Sequence, residues 1–461
     1  VNHVKRSGRL AAGAMMAAGI AACGSTSSSS GSSSSSSGTS TQKIGGSVSV
    51  WAEWTGQEQQ AFSAALQPFE TATGVTVNYA GKGNNTDTAL VSAIQGGAPP
   101  DVALVPDPGT LQTLAKQGSI KDITSLLGSL SGNYSSAWNQ LATYNGKLFG
   151  VWFKGANKNT IWYNPAEFTA AGISSPPTTW EQLITDAAQL QAAGVTPFSL
   201  CTDVGWPIAD FWQNLYLKVA GATAYNQLAT HALKWTDPTV TTTFSTLAQL
   251  FGKTGYLAGG LSGSLSNTFP QCVDKVFPKT GNPQAAMVVE ADFVVSQITT
   301  NSANYAGGTT GTGGAACTAD PTKTPCYDFF GFPAPAADSA NSTAIQGAGD
   351  VAMMVNSTPQ AQALIKYLAG PDGASIWAHL GGFATANKSV PLSAYPDPVT
   401  KADAQALVNA SSFVFSLDDL QGSWEHMMWA DLINFLKDPS AGNVTALEAT
   451  MDTQATAGLG H

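Results

Sequence analysis

An α/β fold in two lobes is predicted by three features of this sequence: strands and helices alternate along its first third, its length exceeds one core, and extended runs mark passages between lobes. At 461 residues the chain is longer than one hydrophobic core usually supports, and 43% apolar residues are ample for two. Val48 and Val50 alternate with smaller residues as in a buried strand over 48–51. Phe62, Leu66 and Phe69 then recur at i, i+4 and i+7, which is helical spacing, and Gly74 stops the helix. A second strand at 75–79, a polar loop at 81–85, a helix from Asp87 to about Gln95 and a strand at 101–105 complete the run. Such alternation indicates a parallel sheet, in which ligands gather at the carboxyl ends of the strands.

Residues 148–154 form a strand-like run that leads to another at 160–164. Thr179, with Gln182 three positions later, opens a helix with capping-box spacing, and helical segments dominate to about Leu257. A strand at 285–289 precedes Glu290 and Asp292, a Gly-rich loop occupies 307–314, and 329–333 is a second extended crossing.

The N-terminus reads as an address. Lys5, Arg6 and Arg9 precede a short apolar stretch, too short to span a bilayer, and Ile20-Ala21-Ala22 places small residues before Cys23. Residues 1–22 are therefore expected to be a signal peptide that resembles a lipoprotein signal, with Cys23 carrying the lipid and 23–44 forming a Ser/Gly-rich tether. A domain held on the extracytoplasmic face of the cell membrane follows. Four further cysteines allow three pairings. The eight-residue gap between Cys317 and Cys326 favours that local bridge, which leaves Cys201 with Cys272.

The charge of −10 argues against nucleic acid, which would want a basic face. No nucleophile, phosphate-loop or metalloprotease motif is present, the cysteine spacings do not suit zinc, and the histidines are isolated in sequence; no catalytic residue, metal or cofactor is expected. Tryptophans beside amides and carboxylates are a different signal. An aromatic face packs on the C–H face of a sugar while polar groups satisfy its hydroxyls. Of the two in 48–58, Trp51 within the strand is expected in the core, and Trp54 beyond it is a candidate sugar platform whose replacement by Ala should weaken binding and leave the lobe folded. Thr55 with Glu58 has capping-box spacing, so Glu58 is expected to serve the helix start.

From about Gly45 onward the chain resembles the family 1 extracellular solute-binding lipoproteins of ABC importers, especially those for α-glucosides and related oligosaccharides. The stretches that carry the resemblance, in the family's order, include Trp51-Ala52-Glu53-Trp54-Thr55-Gly56, Pro99-Pro100-Asp101-Val102, Ile161-Trp162-Tyr163-Asn164-Pro165, Pro177-Thr178-Thr179-Trp180, Gly205-Trp206-Pro207 and Gly347-Ala348-Gly349-Asp350. The resemblance implies a periplasmic-binding-protein-like fold: 45–153 with 334–385 in lobe one, 154–333 with 386–461 in lobe two, hinge strands between them and sugar in the cleft. It also implies delivery to permease subunits by a monomer.

Carried over by position, the ligand contacts would come from the first three loops (Trp54, Thr55 and Gly56; Asn84 and Asn85; Asp107), the hinge (Lys154), the Gly-Trp-Pro segment (Trp206, Asp210), and later loops (Glu290, Asp292, Asp350, Trp424). An extracellular glycosidase or a receptor for a non-sugar solute is the competing reading, since hydrolysis would need two carboxylates about 5 to 10 Å apart and several acids lie near expected loop ends.

Overall fold

The computed structural model describes residues 43–301, 306–307, 326–410, 412–421 and 424–458. The expected signal peptide, Cys23, most of the tether, Cys317 and most of the Gly-rich loop lie outside the described residues. The strands in chain order are β1 (Ser47–Ala52), β2 (Thr76–Gly81), β3 (Val102–Val105), β4 (Thr143–Tyr144), β5 (Lys147–Leu148), β6 (Gly150–Asn157) and β7 (Thr160–Tyr163). They continue with β8 (Phe198–Ser199), β9 (Met287–Val289), β10 (Ala306–Gly307), β11 (Cys326–Gly331), β12 (Ala344–Met354) and β13 (Ser412–Phe415).

Two sheets organise the fold. In the first the order is β13-β12-β3-β1-β2, with β6 also paired to β12; in the second it is β10-β11-β7-β9-β8. β1 runs parallel to β2 and to β3, as the alternation requires. Neither sheet is wholly parallel, however. β12 is antiparallel to β3 and β6, and β7 is antiparallel to β9 and β11. The reason lies in the connections: β12 enters the first sheet from the second lobe instead of through a crossover helix, so its direction is not constrained to match β3.

Each sheet has its own core. Val48, Val50, Phe62 and Val102 belong to the first, while Ile161, Leu183, Phe211 and Trp212 belong to the second. A smaller cluster surrounds Cys201 and Cys272, including Trp162, Val288 and Ile298. Those two cysteines form the expected bridge, with Cα atoms 5.5 Å apart. Cys326 is also disulfide-bonded, and its expected partner Cys317 is outside the described residues.

The passages between the cores fall on the long paired strands. Ala156 at the end of β6 packs in the first core and Ile161 in the second; within β12, Ala344 packs in the second and Ala348 in the first. β13 pairs in parallel with β12; Val399 packs in the Cys201 cluster, but Ala404, Leu407 and Phe415 return to the first core, so the last passage out of that core comes around Val414 to Leu417. That is later than residue 386, where the motif order set the change of lobe.

Neither early tryptophan sits where it was expected. β1 buries Val48, Val50 and Ala52 on one face, so Trp51 shares the less buried face with Ser49, and the Lys82 ammonium lies 3.7 Å from its ring. Trp54 is 1% exposed and meets Phe62 and Trp377 edge to face, each at 4.8 Å between ring centroids. The chain turns at Glu53, which ends the alternation and folds Trp54 back over helix α1 (Gly56–Thr73). α1 buries Phe62, Ala65, Leu66 and Phe69 and stops at Gly74, whose positive φ of 70° suits glycine. Trp54→Ala is therefore expected to cost roughly 3–5 kcal/mol of stability as a large-to-small core change. Urea unfolding checks this: a lowered midpoint at unchanged slope is expected, and wild-type stability would return Trp54 to the surface.

Candidate functional site

A cavity of about 440 Å³ opens between elements of the two cores. Its first wall is built at the carboxyl ends of parallel strands. After β1 come Glu53, Thr55 and the first turn of α1 with Glu58; after β2 come Asn84 and the start of helix α2 (Thr86–Gln95), with Thr86 and Asp87; after β3 come Pro106 and Asp107, which precedes helix α3 (Pro108–Lys116). Asp107 is the N-cap of α3, accepting from the backbone N–H of Thr110 at 3.0 Å and from its hydroxyl at 2.7 Å. Both carboxylate oxygens are thereby engaged in fixing the helix start.

The floor of the cavity is the β6–β12 pair, which contributes Lys154, Ala348, Gly349 and Asp350. Lys154 and Asp350 are direct partners across this antiparallel ladder, beside an irregularity between Asp350 and Val351. A side chain at Gly349 would meet the Lys154 carbonyl oxygen and press on Trp138, so glycine is what allows the close approach.

The opposite wall carries Trp206, Phe269 and Phe293, whose ring centroids lie 5.1–6.0 Å apart in tilted and edge-on pairs. Trp206 begins the helix Trp206–Ala229, and Gly205 before it has φ 99° with Trp429 packed against the space a side chain would fill. Asp203, Asp419 and Glu425 complete this side.

Of the residues expected at the ligand, Thr55, Asn84, Asp107, Lys154, Trp206 and Asp350 line the cavity. Others stand elsewhere. Trp54 is in the core, Gly56 and Asn85 are exposed, and Trp424 is buried against Trp235 with its indole N–H donating to Gln454 at 3.1 Å. Asp210, Glu290 and Asp292 lie behind the wall: Asp210 pairs with Lys158 at 3.0 Å, and Asp292 accepts from the Asn157 backbone at 3.2 Å. They fall one layer short: Asp210 lies in the first turns of the Trp206–Ala229 helix facing the buried Lys158, and the loop after β9 carries Asp292 to the end of β6.

Several cavity residues escaped the sequence reading. Thr55 makes no side-chain cap, and Glu58 reaches the Lys154 ammonium at 2.5 Å instead. Capping spacing alone could not reveal that a buried ammonium competes for the carboxylate. Asp87, Lys158, Asp203, Asp419, Glu425 and the two phenylalanines were not singled out as ligand contacts, and neither was Glu53, although it lies in the first quoted stretch and an acid just after the end of a strand was an available signal.

Carboxylates dominate the electrostatics. Burial, then the charges of Asp350 and Glu58, pushes Glu53 well above the carboxylate range. Burial raises Asp350 to about 7 against the pull of Lys154, and Asp107 to about 7 against its bonds to Thr110. Glu425 is pushed up to about 11 by burial and then by Asp107, Asp419, Asp418 and Asp87. Burial opposes the Lys154 charge, but Glu58, Asp350 and Asp292 outweigh it and hold the ammonium protonated. Its Nζ also lies 5.2 Å from the Trp377 ring and 5.5 Å from Phe293.

Residues 52–375 match the family model described as bacterial extracellular solute-binding protein. The osmoprotective compounds-binding protein GgtB of Synechocystis is 26% identical over 84% of this chain and 88% of its own. The alpha-glucosides-binding periplasmic protein AglE of Rhizobium meliloti is 26% identical over 87% and 86%. Among solved structures, the solute receptor AcbH, described as preferring β-D-galactopyranose, has a TM-score of 0.75 at 20% identity, covering 89% of this chain and 99% of its own. A chitin oligosaccharide binding protein has a TM-score of 0.72 at 21% identity, covering 89% and 99%.

The raised carboxyls give stability a pH dependence of definite sign. Asp107, Asp210 and Asp350, each near 7 in the fold, hold protons that the unfolded chain releases near pH 4. The native state binds more protons in that window, so this stability is full at low pH and is lost as pH rises through about 7. Lys218, buried and lowered to about 7, acts only above that pH. The melting temperature of the ligand-free protein is expected to rise as pH falls from about 7 to about 5, and Asp350→Asn should flatten the rise. A melting temperature that fell over this interval would contradict the assignment.

Proposed function

Because this chain belongs to the bacterial extracellular solute-binding proteins, we propose that it is the substrate-binding lipoprotein of an ABC importer, capturing a carbohydrate by hinge closure and delivering it to the permease. An α-glucoside or related oligosaccharide is the favoured ligand, supported by the relative named for alpha-glucosides. The lipid anchor rests on Cys23 behind its small residues and ahead of the Ser/Gly-rich tether.

The observation that carries the reading is the pairing of an aromatic wall with a polar one across a single cavity. Trp206, Phe269 and Phe293 offer faces for the C–H surfaces of sugar rings, while Glu53, Asp350 and Asn84 offer acceptors and donors for hydroxyls. The cavity is of small-ligand size, suited to a few sugar rings. A ligand that touches both walls stabilises the closed arrangement by its contacts to each, which is the physical content of hinge closure.

Isothermal titration and tryptophan fluorescence with maltose, trehalose and longer glucans test this. Saturable, stoichiometric binding without product release is the expected outcome, and Trp206→Ala should weaken it by about 1 kcal/mol through loss of stacking. Turnover of a glycan without stoichiometric binding would make the protein an enzyme and sink the receptor reading.

A further inference from the structure

At one edge of the cavity the two lobes bring together three side chains of metal-ligating chemistry. Asp87 lies in the first turn of α2, on the lobe-one side, where Leu90 of the same helix packs in the first core. Glu425 and His426 open the helix Glu425–Lys437, which Met428 and Leu432 anchor in the second core. A carboxylate oxygen of each acid and a ring nitrogen of His426 all lie within 4.8 Å of one another. Ligand atoms around a bound divalent ion stand roughly 3 to 3.5 Å apart, so small side-chain rotations suffice to close on one. Folding alone assembles the trio, which is why no metal motif marks it in the sequence.

Glu425 is the member that calls for a ligand. It is 6% exposed and lines the cavity, yet among the described residues its carboxylate accepts no hydrogen bond. Its ion-pair partner is His426, whose Nε2 stands 3.6 Å from Oε1 and is charged only when the ring is protonated. A buried carboxylate without a donor is costly unless a proton or a cation neutralises it. Burial favours the proton in the absence of a cation, and coordination releases it to solvent. His426 is braced for the second role: its ring meets Trp429 of the same helix edge to face, with centroids 4.7 Å apart, and keeps Nε2 toward Glu425. Two carboxylate oxygens and one imidazole nitrogen suit a first-row ion such as Zn2+, whereas Mg2+ and Ca2+ take oxygen ligands and gain little from the ring.

We propose that Asp87, Glu425 and His426 bind a divalent transition-metal cation of the Zn2+ class, which clamps lobe one to lobe two at the edge of the cavity. Three protein ligands leave at least one coordination position for water or a sugar hydroxyl. The metal site does not depend on the carbohydrate reading, but its effect on capture rests on it. A cation that needs ligands from both lobes favours the closed arrangement, so by linkage it tightens the binding of any sugar that closes the same cleft.

Titration calorimetry of the chelator-treated protein with Zn2+, in the absence of sugar, tests the site. Saturable one-to-one binding is expected, weakened at least about tenfold in Asp87→Asn and in His426→Ala, since losing a ligand should cost no less than losing an outer-shell partner. Mg2+ should bind more weakly than Zn2+. His426 is exposed and Asp87 half-buried, so both variants should keep the melting temperature of the metal-free protein, and Zn2+ should raise it less in either variant than in the unaltered chain. Sugar affinity should be about fivefold or more tighter with Zn2+ than without it.

Unchanged Zn2+ affinity in both variants would mean an adventitious ion only and overturn the site. A loss in His426→Ala with none in Asp87→Asn would confine the ion to one helix and overturn the clamp, as would equal sugar affinity with and without Zn2+. Zn2+ binding with no sugar binding would sink the carbohydrate reading and leave the metal site standing; sugar binding with no Zn2+ binding would do the reverse.

Discussion

The pairing of β6 with β12 is the constraint on which the rest of the structure depends. These antiparallel strands carry side chains from one core into the other, and they set Lys154 directly opposite Asp350 at the base of the cavity. A buried ammonium is costly unless it is paired, and Lys154 meets that cost with Glu58 from α1 and with carboxylates from β12 and from the Glu290 to Phe293 loop. One cation thus ties together three elements that are far apart in sequence. It also fixes where the cavity floor lies. Gly349 is the other half of the device, because any side chain there would collide with the Lys154 carbonyl and hold the strands apart.

The cavity lies where two different solutions to burial meet. On the lobe-one side the loops that follow β1, β2 and β3 place helix starts and acids at the ends of parallel strands, where backbone N–H groups are available to anchor them. Asp107 shows the structural use of such an acid, with both oxygens bound to Thr110. Across the space, aromatic rings brace one another and Trp429 holds Gly205 at the start of the Trp206 helix. A rigid apolar wall facing a charged one would give a ligand orientation as well as affinity. The excess of carboxylates is tolerated because burial moves them toward their neutral forms, so the same groups that line the cavity would tune stability with pH.

Much of the architecture was legible because it follows from local periodicity. Alternation gave β1 and β2, helical spacing gave α1, and Gly74 marked its end. The antiparallel placement of β12 was not legible, since no local pattern states which strand a distant segment will join. The site divided in the same way. Thr55, Asn84 and Asp107 follow strands and line the cavity, whereas Asp210, Glu290 and Asp292 turn inward to Lys158 and to the end of β6. Trp51 and Trp54 illustrate the limit most directly. Strand parity sets Trp51 with Ser49, on the face away from Val48 and Val50, against the expectation that it sits in the core, and only the turn at Glu53 decides that Trp54 folds back onto Phe62 and Trp377.

By itself the sequence determined the α/β class, the need for two cores, the Cys201–Cys272 bridge as one of three pairings, and the acidity of the whole chain. These depend on composition, spacing and length, which the folded state inherits unchanged. The tertiary structure alone decided which acids face the cavity, that Glu58 serves Lys154 instead of the helix cap, and that the aromatic wall is Trp206 with Phe269 and Phe293 while Trp54 belongs to the core. Those choices arise from competition among partners brought together by folding: a buried charge takes the nearest carboxylate, and a large ring fills whichever gap the packed helices leave.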